Sequence, residues 1–360
     1  YNCVSSSVLY AALATAAGIL VTGNLTRDHA FCTVYIGGRK IDVETTNPNG
    51  FNPGTRKPVE SHGGGTAYYV VPKKSYAGRK EVSLAMLVSA VGKNLMAGFD
   101  KKNDYERALP LALARFPYGL SPAEEQELRS DFDVVAGNYA NLLNRADRCQ
   151  EAVLFLEAVY ARYGQTAYLG ENYDVSAHNA VGALVNSGRF QEAAGFLSAH
   201  GAFISPETYR ELDQALFLTA ADSQVQQLAA ADPDAALSLL RELRSDRRAG
   251  AAAAKKRLDE LCEYSWYQKA RLPFDAKDFL AAAALCDQGL QEVPQSRSLQ
   301  TMRKQALQNH AVGYHNRFAQ LANAGQYEEA LAVLQQGLSE NPGNATLQGD
   351  LKQLRRIMGR

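Results

Sequence analysis

The stretch NRFAQLANAGQYEEALAVLQQGLSENPGN, residues 316–344, decides the fold. It opens as a helix, breaks at Asn323-Ala324-Gly325, restarts at Gln326-Tyr327-Glu328-Glu329-Ala330-Leu331 and stops at Pro342. Gly after one helix and Pro after the next are stop signals: Gly takes the left-handed conformation that closes a helix, and Pro cannot continue one. Tyr327 and Ala330, three residues apart, fall on one helix face. The aromatic fills the wedge between two crossing helices and the small Ala lets their backbones approach. The stretch therefore reads as a helical hairpin.

The same step recurs upstream at Tyr105/Ala108, Cys149/Ala152, Phe190/Ala193, Pro233/Ala236 and Phe279/Ala282, with Cys149 and Pro233 departing from the aromatic. The six Ala positions are spaced by 44, 41, 43, 46 and 48 residues. A unit that recurs at a near-constant interval marks a stacked array. From Val82 onward Ala and Leu dominate, β-branched runs vanish, and breakers recur at Asn103-Asp104, Ser187-Gly188, Asp232-Pro233 and Asn341-Pro342-Gly343.

Tyr314–Pro342, with its Gly-x-Tyr, Ala and Pro pattern, resembles the tetratricopeptide-repeat (TPR) family, and Val175–Phe203 does so to a lesser degree. The resemblance implies an α-solenoid over residues 82–360, with helices or loops longer than the family period of about 34 residues allows. Fourteen residues before each anchoring Ala stand Asn94, Asn138, Asn179, Asp222, Gln268 and Asn316, all short or medium polar side chains with an acceptor. In the family this position faces a concave groove, where Asn bonds the backbone of a bound peptide through both amide atoms. The resemblance thus implies a protein or peptide ligand on these six residues. Exposed helix positions carry polar side chains in any case, so the bland reading stands beside it.

Residues 1–72 follow another grammar. Val4–Ala17 reads as a helix ending at Gly18, and His29–Ile36 and Arg39–Thr46 as strands joined by Gly37-Gly38, a two-residue hairpin turn. Asn47–Gly65 reads as a loop, Ala67–Val71 as a further strand, and residues 73–81 as a linker to the array. Cys3 stands at the start of the first helix, where free amides and the helix dipole favour a thiolate. His29 opens the first strand. With Ile36 paired to Arg39, alternation puts His29, Phe31, Thr33, Asp42, Glu44 and Thr46 on one face. Glu44 lies one diagonal step from His29 and Asp42 lies two residues farther. A bulge would bring Asp42 back into play.

Asn2-Cys3-Val4-Ser5-Ser6-Ser7, His29-Ala30-Phe31 and Tyr35-Ile36-Gly37-Gly38-Arg39 are similar to the active-site helix, His strand and hairpin of the transglutaminase-like superfamily. The resemblance covers residues 1–72. It implies a small α+β papain-like domain in which Cys3 is the nucleophile, His29 the acid–base partner and Glu44, fifteen residues after the His, the orienting acid. The family's usual acid is Asp, and its oxyanion hole draws on residues upstream of the Cys. Only two residues precede Cys3, so the resemblance implies that this part of the core lies outside the sequence. The fold class expected is mainly α: a TPR-like solenoid behind a transglutaminase-like domain.

Composition narrows the alternatives. The chain has 360 residues, 38 Lys plus Arg and 38 Asp plus Glu, and 46% hydrophobic residues. It is neither a disordered chain nor a strongly basic nucleic-acid binder. Residues 1–80 hold nine basic and four acidic residues, so a net charge of +5 in front balances −5 behind. Five cysteines are too few for a disulfide scaffold of this size. Cys32, Cys149, Cys262 and Cys286 read as packing residues, and Trp266 as the wedge of the fifth repeat. The longest apolar run, Val8–Val21, is 14 residues, short of the ~20 needed to cross a bilayer.

No cofactor is expected. His62 reads as solvated, and Gly63-Gly64-Gly65 lacks the Lys and Ser/Thr of a phosphate loop. His310 and His315 are five apart, off the spacing of a helical zinc pair. Two functions remain open: a thiol acyltransferase or amidohydrolase whose repeats recruit protein substrates, or a noncatalytic scaffold whose groove binds a partner. Oligomeric state and compartment are left open.

Overall fold

The computed structural model describes residues 2–27, 29–46, 50–52 and 78–359. The expected strand Ala67–Val71, His62, Gly63–Gly65 and most of the loop Asn47–Gly65 lie outside the described residues.

Helix α1 (Cys3–Ala16) packs on a four-stranded antiparallel sheet of order β3-β2-β1-β4, formed by β1 (Leu20–Leu25), β2 (Ala30–Ile36), β3 (Arg39–Val43) and β4 (Lys80–Val82). The inward face of α1 carries Val4, Ser7, Ala11 and Ala14, the spacing of one helical stripe. Gly37 and Gly38 both have positive φ, 55° and 77°. Such a turn matches the right-handed twist of the flanking strands. It sets the register Ile36↔Arg39, Thr33↔Asp42 and Cys32↔Val43, the pairing that the hairpin reading gives.

Two features of the sheet depart from the sequence reading. Strand β1 has no counterpart among the expected strands, and Gly23 lies inside it. Gly23 is there for close packing: a Cβ at this position would lie 2.8 Å from Leu87 Cβ and 3.0 Å from Val82 Cγ2. The boundary also moves. Lys80 and Glu81, assigned to a linker, and Val82, assigned to the array, form β4 on the edge of β1. The next helix, α2 (Leu84–Asp100), sends Met86, Leu87 and Ala90 into the same core as Ala30, Cys32, Val34 and Val43. Burying a side chain such as Met86 or Leu87 contributes about 1.5–3 kcal/mol each, which ties the start of α2 to this core.

Beyond α2 the chain is helical. α3 (Tyr105–Ala114) follows α2. Then come α4 (Pro122–Arg145) with α5 (Cys149–Tyr163), and α6 (Ala167–Asn186) with α7 (Phe190–His200). After these come α8 (Pro206–Ala231) with α9 (Pro233–Arg244), α10 (Ala252–Asp275) with α11 (Phe279–Glu292), α12 (Arg297–Asn323) with α13 (Tyr327–Glu340), and α14 (Ala345–Ile357). Every recurring step begins a second helix: Tyr105, Cys149, Phe190, Pro233, Phe279 and Tyr327 are first residues of α3, α5, α7, α9, α11 and α13. The six partner alanines, Ala108, Ala152, Ala193, Ala236, Ala282 and Ala330, are all 0% exposed.

Five of the six hairpin turns share one device. Asn103, Asp147, Gly188, Lys277 and Gly325, each two residues before the new helix, have φ between 55° and 76°. The amide of the following residue then closes on the carbonyl five back, as in Asp104 N to Phe99 O at 3.0 Å and Gln326 N to Leu321 O at 2.9 Å. This is the Schellman closure, which satisfies carbonyls a helix end leaves open. The α8–α9 link uses Asp232 instead, whose carboxylate caps the amides of Asp234 and Ala235 ahead of Pro233.

The described chain forms two compact units, Tyr1–Ala183 with Phe196–Tyr209, and Leu184–Gly195 with Arg210–Arg360. The first therefore joins the sheet to several helices, a division unlike the expected 1–72 and 82–360. In the second, Trp266 is 5% exposed at the centre of a core with Leu258, Cys262, Cys286 and Leu299. A Cβ on Gly289 would lie 2.9 Å from Trp266 Cβ, and one on Gly337 would lie 2.7 Å from Tyr314 Cγ. In these last two hairpins an aromatic on the first helix thus lies against a glycine on the second.

Candidate functional site

Cys3 is the first residue of α1, held by a reciprocal cap in which Asn2 Oδ1 accepts from Ser5 N at 3.0 Å and Asn2 N donates to Ser5 Oγ at 3.1 Å. The helix is fixed to β2 by two buried bonds: Ser7 Oγ donates to Ala30 O at 3.1 Å, and Cys32 Sγ donates to Ser7 O at 3.3 Å. These set Cys3 beside His29, the residue before β2, and the two side chains are hydrogen-bonded. His29 Nε2 in turn bonds Glu44 Oε2. His29 and Glu44 are buried, and Cys3 is half-buried.

The second oxygen of Glu44 is also occupied. Oε1 accepts from Thr46 N at 2.9 Å and Thr46 Oγ1 at 2.7 Å, which aims Oε2 at the imidazole. Asp42, the other candidate acid, is engaged elsewhere: it accepts from Thr33 Oγ1 at 2.8 Å and pairs with Arg79. His29 also stacks on the buried ring of Phe31, with centroids 6.3 Å apart.

Charge in the trio follows from these contacts. Burial pushes the Cys3 thiol up, but its bond to His29, the amides of Ala30 and Val4, and the imidazolium charge bring it below the ordinary 9.0. Burial pushes His29 down, and the bonds and charges of Cys3 and Glu44 overcome it, raising it to about 9. Burial raises Glu44, and the bonds from His29 and Thr46 bring it below its ordinary value. The three shifts act in one sense: each favours the charged form of its group, thiolate, imidazolium or carboxylate, over the neutral one.

The other cysteines contrast with this. Burial, with the Glu44 charge, pushes Cys32 up to about 12, and burial first of all raises Cys262 and Cys286 to about 11.

A cleft of about 550 Å³ opens in front of Cys3 and His29. Its other walls include Arg27, Met86, Ser89, Lys93, Asn94, Arg115 and Glu127. Of these, the sequence reading singled out only Asn94, and for a peptide groove. Thr46, which holds Glu44, has a local sequence signal: a hydroxyl two residues after a carboxylate is a common partner for it. Arg115 had no sequence signal, because its role rests on contacts to Ser89 O at 3.1 Å and to Asp131 at 2.9 Å.

The six expected groove positions fall on α2, α4, α6, α8, α10 and α12, the first helix of each pair. Asn94, Asn179 and Asn316 are exposed and Gln268 is half-buried. Asn138 Nδ2 donates to both carboxylate oxygens of Asp100, at 3.1 and 3.2 Å. Asp222 pairs with Arg257 and accepts from Gln226 Nε2 at 2.9 Å. Those two side chains serve neighbouring helices.

His310 bonds Glu340 at 2.8 Å and His315 bonds Asp350 at 2.7 Å, each in its own pair. Among the described residues no group of three His, Cys, Asp or Glu side chains is arranged to hold a metal. No described helix is long and apolar enough to cross a membrane.

No family model and no curated protein matches the chain. Among solved structures, it is similar to a tetratricopeptide repeat protein from Parabacteroides merdae ATCC 43184, at 11% identity, over 74% of this chain and 98% of that one, with a TM-score of 0.21. The chain itself is a mainly α protein built of helical hairpins, with one small sheet.

Proposed function

We propose that the protein is a thiol acyltransferase or amidohydrolase of transglutaminase-like type, whose TPR-like helices recruit a protein or peptide substrate. The observation that carries this reading is the continuous hydrogen-bonded chain Cys3–His29–Glu44 at the mouth of a cleft. The front domain in this proposal consists of α1, the sheet and the start of α2, and the array follows it.

The Cys3 thiolate attacks a carboxamide or peptide carbonyl, forming a C–S bond. The C–N bond then breaks, and the departing nitrogen takes its electron pair and the proton of His29. In the second half-reaction His29 accepts a proton from water or an amine, whose oxygen or nitrogen displaces sulfur. Glu44, fixed by Thr46, keeps the imidazole oriented and stabilises its cationic form. The amide of Cys3 is a helix-terminal donor with no bond among the described residues, suited to the developing oxyanion.

The experiment is to incubate the protein with p-nitrophenyl acetate, quench in acid and map acetyl groups by peptide mass spectrometry. A thioester on Cys3 that disappears in Cys3→Ser and accumulates slowly in His29→Asn supports the proposal. Acetylation confined to other residues overturns it.

Recruitment by the array is the lesser part of the proposal. It is supported by the exposed Asn179 and Asn316, and weakened at Asn138 and Asp222, which have partners within the protein.

A further inference from the structure

Arg27 is exposed and stands on the wall of the Cys3 cleft. The other cations on that wall are committed. Lys93 bonds Asp131 at 2.8 Å, and Arg115 shares Asp131 at 2.9 Å while donating to Ser89 O. Glu127, the one carboxylate among the described residues of the wall, is bonded by Lys80 at 2.6 Å. Arg27 has no such partner among the described residues. Among the described residues the cleft therefore presents more positive than negative groups to whatever enters it, and Arg27 is its cation without an ion pair. Cys3, His29 and Asn94 line the same space, so a group held by Arg27 lies within the cleft that serves the thiol.

We propose that this cleft selects acyl donors that carry a negative charge a few atoms from the reacting carbonyl, as an acidic peptide segment does, with Arg27 reading that charge. The inference rests on the thiol acyl-transfer reading of Cys3 and names its substrate class. A carboxylate there meets a guanidinium with a fork of donors matched to it, and it displaces no ion pair among the described residues. The contribution is electrostatic and rim-exposed, so it is modest and weakened by salt.

The test compares two alkylating probes of nearly equal size on the intact chain: iodoacetate, which is anionic, and iodoacetamide, which is neutral. Both form an S–C bond and release iodide. Their rate ratio at Cys3, read by peptide mass spectrometry, is divided by the ratio for N-acetylcysteinamide under the same conditions.

The expected ratio is about three- to ten-fold above that reference at low salt. It should fall toward the reference in Arg27→Gln, below it in Arg27→Glu, and also in 0.5 M salt, roughly where screening reaches a few ångströms. A ratio equal to the reference in the native protein overturns the proposal, and so does an elevated ratio that Arg27→Gln leaves in place. The Cys3 reading itself stands or falls on the pH dependence of the iodoacetamide rate alone. A low-titrating thiol without charge preference therefore removes only the role of Arg27.

Discussion

His29 Nε2 and Glu44 Oε2 meet in a hydrogen bond across the open end of the β2–β3 hairpin, with side-chain exposures of 4% and 0%. Among the described residues no other ion pair of the first unit is as dry, and His29 also bonds the Cys3 thiol. Stability and chemistry are therefore linked at these residues.

The first consequence is a pH dependence with a definite sign. His29 is raised from 6.5 to about 9, so the stability it contributes is fully present below about 6.5 and is lost as pH rises through about 9. Glu44 is lowered, so its contribution is present above 4.5 and is lost as pH falls through its folded value. Urea unfolding of the native protein and Glu44→Gln should differ by about 3 kcal/mol near pH 6, the cost of removing one partner of a buried pair. The gap should narrow above pH 9. A gap that does not change between pH 6 and pH 10 contradicts the assignment.

Thr46 supports the pair from behind. Thr46→Val keeps the backbone amide bond to Glu44 Oε1 and deletes the hydroxyl bond at 2.7 Å. The expected loss is about 1–2 kcal/mol of stability, for a hydrogen bond to a charged group. Slower acetylation of Cys3 should accompany it, whereas Thr46→Ser should restore both. Slow acetylation in the Ser variant would mean that the methyl group, not the hydroxyl, is what matters.

The hairpin turns can be tested with two alanines in one hairpin. Gly325 has φ +76°, so Gly325→Ala should cost about 1 kcal/mol. Gly313, inside α12 with open space around it, should gain about 0.5–1 kcal/mol on becoming Ala. Thermal unfolding of both variants gives the two signs directly. Equal effects would contradict the left-handed closure.

Packing of the fourth strand and α2 on β1 is tested at Gly23. A Cβ there would lie 2.8 Å from Leu87 Cβ, so Gly23→Ala should destabilise by about 1–3 kcal/mol through overpacking. Because the clash includes the Leu87 Cδ1 at 3.3 Å, adding Leu87→Ala should cost less in the Gly23→Ala background than in the native one. Strict additivity in a double-mutant cycle would show that the helix does not lie where described.

These outcomes also show which parts of the fold were legible from the residues. The six Ala steps were, because a small residue three after a wedge is a local pattern that survives variation in loop length. The β2–β3 register was, because Gly37-Gly38 fixes it within two residues, and that register carried Glu44 toward His29. Strand β1 and the β4 edge were not. Gly23 looks like a breaker until Leu87 is known to lie against it, and Lys80-Glu81-Val82 is too short and too charged to announce a strand. The turns at Asp147 and Lys277 are not legible either, since non-glycine residues with positive φ leave little trace in sequence. The cleft wall was hidden for a similar reason: Arg27, Lys93 and Arg115 come from three segments that only the fold brings together.

The central claim is that Cys3 is an activated thiol, and the rate of its alkylation by iodoacetamide against pH tests it most directly. Read peptide by peptide so that the four buried cysteines do not contribute, the Cys3 rate should titrate with a midpoint below 9.0. The midpoint should move upward in His29→Asn, which removes the bond and the charge that hold the thiolate. A midpoint at or above 9.0 in the native chain, unmoved by His29→Asn, would contradict the account.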